Sequence, residues 1–172
     1  QGNLTFPEGK VDSHAMGFNH EDAYIQLPTS IANQQTISLA SWVYWKGGAP
    51  KQRIFDFGNG EPESMHLTTS TGLVGGKLQF AIKNGEEKQS LNADLLPFKE
   101  WTHVAITLDS NQAKMYINGE MVDESNAFTL SPMDFKPALN YLGRSQNSSD
   151  PLFNGRLDDF MMYNYALSPE EI

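Results

Sequence analysis

YLGRSQNSSDPLFNGRLDDFMMYNYALSPEEI, residues 141–172, is the stretch on which the reading of this chain turns. It opens on a Gly143-Arg144-Ser145 turn and a polar loop through Asn147, Ser148, Ser149 and Asp150. An apolar strand follows over Leu157–Tyr163, interrupted by the adjacent carboxylates Asp158 and Asp159, and then a helix start at Ser168-Pro169-Glu170-Glu171. Two carboxylates at the entrance of a strand suggest an active site or a cation site. Successive strand residues point to opposite faces, however, so Asp158 and Asp159 are split and cannot converge as an acid/base pair. That leaves one of them as a cation ligand and the other as a solvent or turn partner.

A strand of this kind needs neighbours, and the rest of the chain supplies them. Thr36–Trp45 (TISLASWVYW) is rich in β-branched and aromatic residues and lacks Pro and Gly. Ile37, Leu39, Val43 and Trp45 fall on one face, Ala40, Trp42 and Tyr44 on the other; Trp42 reads as core. Arg53–Phe57 is the next strand, and alternation puts Arg53 and Asp56 on opposite faces. Met65–Thr68 is brief. In Leu78–Lys83, Leu78, Phe80 and Ile82 read inward, Gln79 and Lys83 outward. Asn84-Gly85 and Asn118-Gly119 are hairpin dipeptides. Trp101–Asp109, Lys114–Asn118 and Leu139–Leu142 add further strands. Ala15–Phe18 and Ala23–Leu27 read as a hairpin or bulged connection across Asn19-His20-Glu21-Asp22, and Asn3–Phe6 as a short edge strand. Roughly ten short strands with turn signals every 8–15 residues, and no long helix, predict an all-β fold. The expectation is an antiparallel two-sheet β-sandwich, a jelly roll, as a single domain over 1–172.

Bulk composition narrows the function. The 172 residues hold 21 acidic and 12 basic side chains, a formal charge of −9. That balance excludes nucleic acid and anionic membrane as partners, because phosphate binding needs a basic surface. Cysteine is absent, so disulfides, thiol chemistry and zinc–thiolate sites are excluded. No apolar run approaches the ~18 residues of a membrane span. The sequence stops at Ile172, one turn into a helix signal, so a module of a larger protein is expected.

Signatures of catalysis are missing: there is no G-x-S-x-G, P-loop or H-E-x-x-H. The four histidines share no spacing, and His103 in mid-strand reads as structural. Glycosidase strands that place carboxylates as E-x-D-x-E have no counterpart, so the domain reads as non-catalytic. Calcium is the more natural use of the Asp residues, since backbone and amide oxygens complete its shell. Asn19 and Asp22, with Asp158 or Asp159, are the candidate ligands. Turn chemistry and backbone capping are the competing readings of the same side chains.

Several fragments resemble one family in order. They are Phe18–Ile25 (FNHEDAYI), Ser41–Trp45 (SWVYW), Gln52–Asn59 (QRIFDFGN), Trp101–Ala105 (WTHVA), Tyr116–Gly119 (YING) and Asn154–Phe160 (NGRLDDF). Together they resemble the laminin G-like, concanavalin A-like jelly-roll modules of bacterial secreted polysaccharide-degrading proteins. The entry hairpin departs from that family's F-D-G-x-D-D-Y-V at Asn19, His20 and Ala23. The resemblance implies a secreted or cell-surface carbohydrate-binding or accessory module beside a catalytic domain, often with one structural calcium. The alternative is a structural or protein-interaction module that braces a catalytic neighbour without binding sugar.

Sugar binding needs an aromatic plane and a few fixed polar groups. Tyr44 and Trp45 are the expected stacking residues for a poly- or oligosaccharide. Arg53, Asp56, His66, Gln79, Arg144 and Gln146 are the expected hydrogen-bonding groups. The loop Arg144–Asp150 is expected to touch the ligand.

Overall fold

The structure, a computed structural model, describes every residue except Asp12. Its strands are β1 (Met16–Asn19), β2 (Ile25–Leu27), β3 (Ile37–Trp45), β4 (Arg53–Gly58), β5 (Glu63–Thr68) and β6 (Leu78–Asn84). They continue as β7 (Glu87–Ala93), β8 (Trp101–Asp109), β9 (Gln112–Ile117), β10 (Glu120–Ser125), β11 (Leu139–Leu142) and β12 (Asn154–Tyr163). The helical element among the described residues is a 3-10 turn at Pro132–Asp134. All pairings are antiparallel, in two six-stranded sheets ordered β1-β12-β3-β8-β9-β10 and β2-β11-β4-β5-β6-β7.

The inner faces meet in one core. Ile37, Leu39, Val43 and Trp45 of β3 face Phe55, Phe57, Leu67, Phe80 and Ile82 of the second sheet, with Phe128 and Phe153 filling in from loops. Burying an aliphatic or phenyl side chain this fully contributes about 1.5–3 kcal/mol each. The jelly-roll expectation is met. Two of the strands, β7 (EKQSLNA) and β10 (EMVDES), are too polar to register as strands in the sequence.

The expected hairpin near the start does not form. β1 pairs with β12 in the first sheet and β2 with β11 in the second, so Asn19–Asp22 carry the chain between sheets. Asn3–Phe6 contributes a single bridge, Thr5 to Gly17, rather than a strand.

Two bulges move side chains that alternation alone would misplace. In β4 the register shifts between Arg53 and Phe55, so Arg53 and Asp56 both reach the outer face of the second sheet. In β12 it shifts between Asp158 and Met161, and Asp159 takes φ +50°. One extra residue therefore sits between Leu157 and Phe160, which both pack on the core. Asp158 lies opposite Trp42, whose ring covers the outer face against His103 at 5.3 Å.

The sheet margins are short or irregular. β2 has three residues, β10 is bulged between Met121 and Asp123, and β1 is covered by the Thr5 bridge. At the far side, Asp123 accepts the Asn92 amide at 2.7 Å, joining the two sheets.

Candidate functional site

The outer face of the second sheet forms a cleft of about 430 Å³, within the range of small-ligand sites. Its floor comes from alternate residues: Arg53 and Asp56 of β4, Ser64, His66 and Thr68 of β5, Gln79 and Lys83 of β6, and Lys88 of β7. Register aligns them in rows. Asp56 lies beside His66, Arg53 and Thr68 beside Gln79, and Ser64 beside Lys83 and Lys88. Ser145, Gln146, Asn147 and Asp150 of the β11–β12 loop form one wall.

Glycine sets that loop. Gly143 takes φ +81° and lies against the Phe18 ring, where a Cβ would come within 2.6 Å of the ring. Its amide donates to Ile54 O at 3.0 Å and its carbonyl accepts from the Phe153 amide at 2.9 Å, which closes the loop at its base.

Arg53 is the hub of the site. Its Nε donates to Asp56 Oδ2 at 3.3 Å, its Nη2 to Asp150 Oδ2 at 3.3 Å and its Nη1 to Thr68 Oγ1 at 2.6 Å. Gln146 bridges loop to sheet: its backbone N–H donates to Asp56 Oδ2 at 3.1 Å and its Nε2 to Leu139 O at 2.7 Å. Its Oε1 accepts the Gly60 amide at 3.1 Å. Arg53 and Gln146 thus hold the cleft together.

Asp56 is left one donor short. Only 1% of its surface is exposed, and Oδ1 has no hydrogen-bond partner. Burial pushes its carboxyl up to about 6, against the opposing pull of Arg53 and of the Gln146 amide. His66, next to it, lies well below the ordinary imidazole value, first through burial and then through Arg53 and Lys88. It is therefore a neutral ring at physiological pH, within 3.2 Å of Ser64 Oγ through Nδ1. A neutral imidazole beside a carboxylate with a free lone pair suits hydroxyl groups, which both donate and accept.

Five of the eight expected ligand residues, Arg53, Asp56, His66, Gln79 and Gln146, line this cleft, and the structure moves the other three elsewhere. Trp45 belongs to the core at 8% exposure, its Nε1 donating to Gln52 Oε1 at 3.3 Å, so it offers no stacking face. Tyr44 lies on the outside of the opposite sheet, 5.4 Å from Trp101 and under Arg156. Arg144 stacks over Tyr24 and Tyr141 at 4.6 and 5.1 Å. Trp42, expected in the core, is half-buried on the outer surface. No Phe, Tyr or Trp lines the cleft among the described residues.

Lys51, Lys83 and Lys88 line the cleft without having been expected as site residues, whereas Asp150 belongs to the loop expected to touch the ligand. Lys83 had already been placed outward beside Gln79, and extending that row across the Asn84-Gly85 turn would have reached Lys88.

The proposed cation ligands do not form one shell. Asn19 Oδ1 accepts the amides of Glu21, Asp22 and Ala23, and its Nδ2 donates to Asp22 Oδ1 at 2.7 Å. Asn3 donates to the same carboxylate through its backbone N–H and Nδ2. These hydrogen bonds, that of Asn19 foremost, lower the Asp22 pKa. Asp158 Oδ2 instead accepts the Lys10 and Val11 amides at 2.6 and 2.9 Å, and Oδ1 the Asp159 amide at 3.0 Å. N–H groups already use the oxygen lone pairs of Asp22 and Asp158 that calcium would need, so as arranged these two carboxylates do not fit it. Among the described residues, no three His, Cys, Asp or Glu side chains cluster as a metal site.

The architecture defines the class: a two-sheet jelly roll with a polar cleft on one outer face. The sequence matches the concanavalin A-like lectin/glucanases superfamily over residues 19–172, and the chain belongs to that superfamily. It is 35% identical over 79 residues to usherin of Rattus norvegicus, covering 43% of this chain and 2% of usherin's length. Among solved structures, it is similar to domain 4 of AbnA, a GH43 extracellular arabinanase from Geobacillus stearothermophilus, in complex with arabinotriose. That match has a TM-score of 0.80 at 21% identity and covers 99% of this chain and 80% of the other. It is also similar to the Ruminococcus gnavus IT-sialidase CBM40 bound to α2,3 sialyllactose. Here the TM-score is 0.69 at 17% identity, covering 87% of this chain and 94% of the other. At such identities the likeness is one of fold. No helix among the described residues is long and apolar enough to cross a membrane.

Proposed function

We propose that this chain is a non-catalytic carbohydrate-binding module of a secreted glycan-degrading protein, and that an oligosaccharide occupies the cleft over Asp56 and His66. The observation that carries this reading is the cleft itself, where Arg53, Thr68, Gln79, Lys83, Lys88 and Gln146 bring hydrogen-bonding groups together on one outer face. The arabinotriose and sialyllactose held by the two structural neighbours are in keeping with it.

A hydrolytic reading has one observation behind it, because Asp56 and Asp150 come from different elements and meet at Arg53. A glycosidase pair flanks open space for the scissile bond. Here the guanidinium occupies the place between the two carboxylates, which favours binding over cleavage.

Affinity electrophoresis of the purified chain against a panel of polysaccharides tests the proposal. Retardation by at least one polymer, without release of reducing ends, is the expected result. No retardation by any of them refutes sugar binding and leaves the role of bracing a catalytic neighbour.

A further inference from the structure

The basic side chains of this acidic protein are not evenly spread. Of its 12 Lys and Arg residues, four line the one cleft: Lys51, Arg53, Lys83 and Lys88. Arg53 and Lys51 are engaged by Asp150, and Arg53 also by Asp56. Lys83 and Lys88 are not. They sit directly opposite each other on β6 and β7, and both line the cleft. Among the described residues, neither has a carboxylate within 4.0 Å. Lys88 Nζ donates at 2.9 Å to a neutral group, Gln79 Oε1, which is itself tied to Asn92.

Like charges directly opposite on neighbouring strands repel. The effect is felt at Lys88, whose ammonium is lowered first by burial and then by Arg53 and Lys83. By contrast, Lys77, at the other end of β6, bonds Asp94 at 2.6 Å. Glu61 is the cleft carboxylate outside the Arg53 cluster, and it stands on the β4–β5 turn. With no Phe, Tyr or Trp in the cleft, recognition falls to hydrogen bonds and charge.

We infer that the ligand of this cleft is an acidic glycan, whose carboxylate or sulfate seats between Lys83 and Lys88 while its hydroxyls meet Asp56 and His66. The inference rests on the carbohydrate-binding reading and names the ligand class for the same site. An anion there relieves the repulsion between the two ammonium groups and supplies the charge-assisted partners that the protein does not.

Affinity electrophoresis separates the possibilities with polygalacturonate (carboxylated), carrageenan (sulfated), neutral arabinan and polyglutamate as probes. Wild-type protein should be retarded by one of the acidic polysaccharides, which identifies the anion, and less so as salt rises. Lys83→Gln and Lys88→Gln should each weaken that binding by about tenfold or more. Lys77→Gln, outside the cleft, should leave it unchanged, and matching melting curves exclude misfolding of the variants. Binding to arabinan alone, insensitive to both cleft variants, would overturn the acidic-ligand assignment while keeping the carbohydrate-binding one. Equal retardation by polyglutamate would overturn it too, as attraction without sugar recognition. No retardation by any polysaccharide would remove both.

Discussion

Asp56 ties the chemistry of the cleft to the stability of the fold. Its folded pKa of about 6 lies above the ordinary 3.8, so the fold disfavours the ionised carboxylate. Its contribution to stability is therefore greatest below pH ~4 and is lost as pH rises through about 6. Asp56→Asn should flatten that part of the stability–pH profile. A chemical-denaturation series from pH 4 to 7 should show wild type losing up to about 3 kcal/mol relative to the variant. A parallel pair of profiles would mean that Asp56 is solvated and its site open to water. The amide hydrogens aimed at Asp22 and, separately, at Asp158 lead to a second expectation: a chelator should leave the melting temperature unmoved. A fall of several degrees would restore calcium to these residues.

Individual side chains also mark the limit of what periodicity could reveal. The alternation of β3 was legible, and Ile37, Leu39, Val43 and Trp45 share the core face as the period-2 pattern requires. The roles of the two tryptophans were not. Alternation put Trp42 on the face that became the outside, yet its size argued for burial. Trp45 lay on the core face, yet its place at a strand end argued for exposure. The face decided both.

At the level of elements, the bulges are what the sequence hid. A period-2 reading separates Arg53 from Asp56, and the extra residue in β4 brings both to the outer face; the extra residue in β12 puts Phe160 rather than Asp159 on the core side with Leu157. The polar strands β7 and β10 were illegible for another reason: each is a sheet edge with little apolar surface to bury. The cleft could therefore be read only in part, through Arg53, Asp56, His66, Gln79 and Gln146, and its cationic side was missed with β7.

The β12 bulge yields a prediction of its own. Asp158→Ala deprives three backbone amides of their acceptor and should cost about 2–3 kcal/mol. The loss should appear in the melting temperature and in faster proteolysis near Lys10. The loop over the cleft depends on Gly143 in the same way. Gly143→Ala meets both a left-handed backbone and the Phe18 ring, and should cost about 1–3 kcal/mol while weakening glycan binding.

For the whole molecule, the sandwich gives its two outer faces different work. One carries the polar cleft; the other presents half-buried Trp42, Trp101 and His103 around a second open hollow of about 510 Å³, with Lys10 of the N-terminal segment at its side. The family resemblance was legible because it is built from fragments spread over most of the chain, and the sequence matches the superfamily over residues 19–172. The ligand was not, because it depends on which outward side chains the strand register and the β4 bulge bring together.

The margins of the sheets bear on how this protein behaves among its own copies. An unpaired strand invites another chain to hydrogen-bond along it, the first step towards fibrils and precipitates. Each of the four margins is spoiled for that purpose: β2 by its brevity, β1 by the Thr5 bridge, β10 by its bulge, and β7 by charged side chains and the Asn92–Asp123 tie. Light scattering should accordingly show a monomer into the millimolar range, and the same should hold for copies brought side by side if the proposed polysaccharide binding takes place. Crowding on a polysaccharide strand would then load the surface with separate molecules instead of seeding an aggregate.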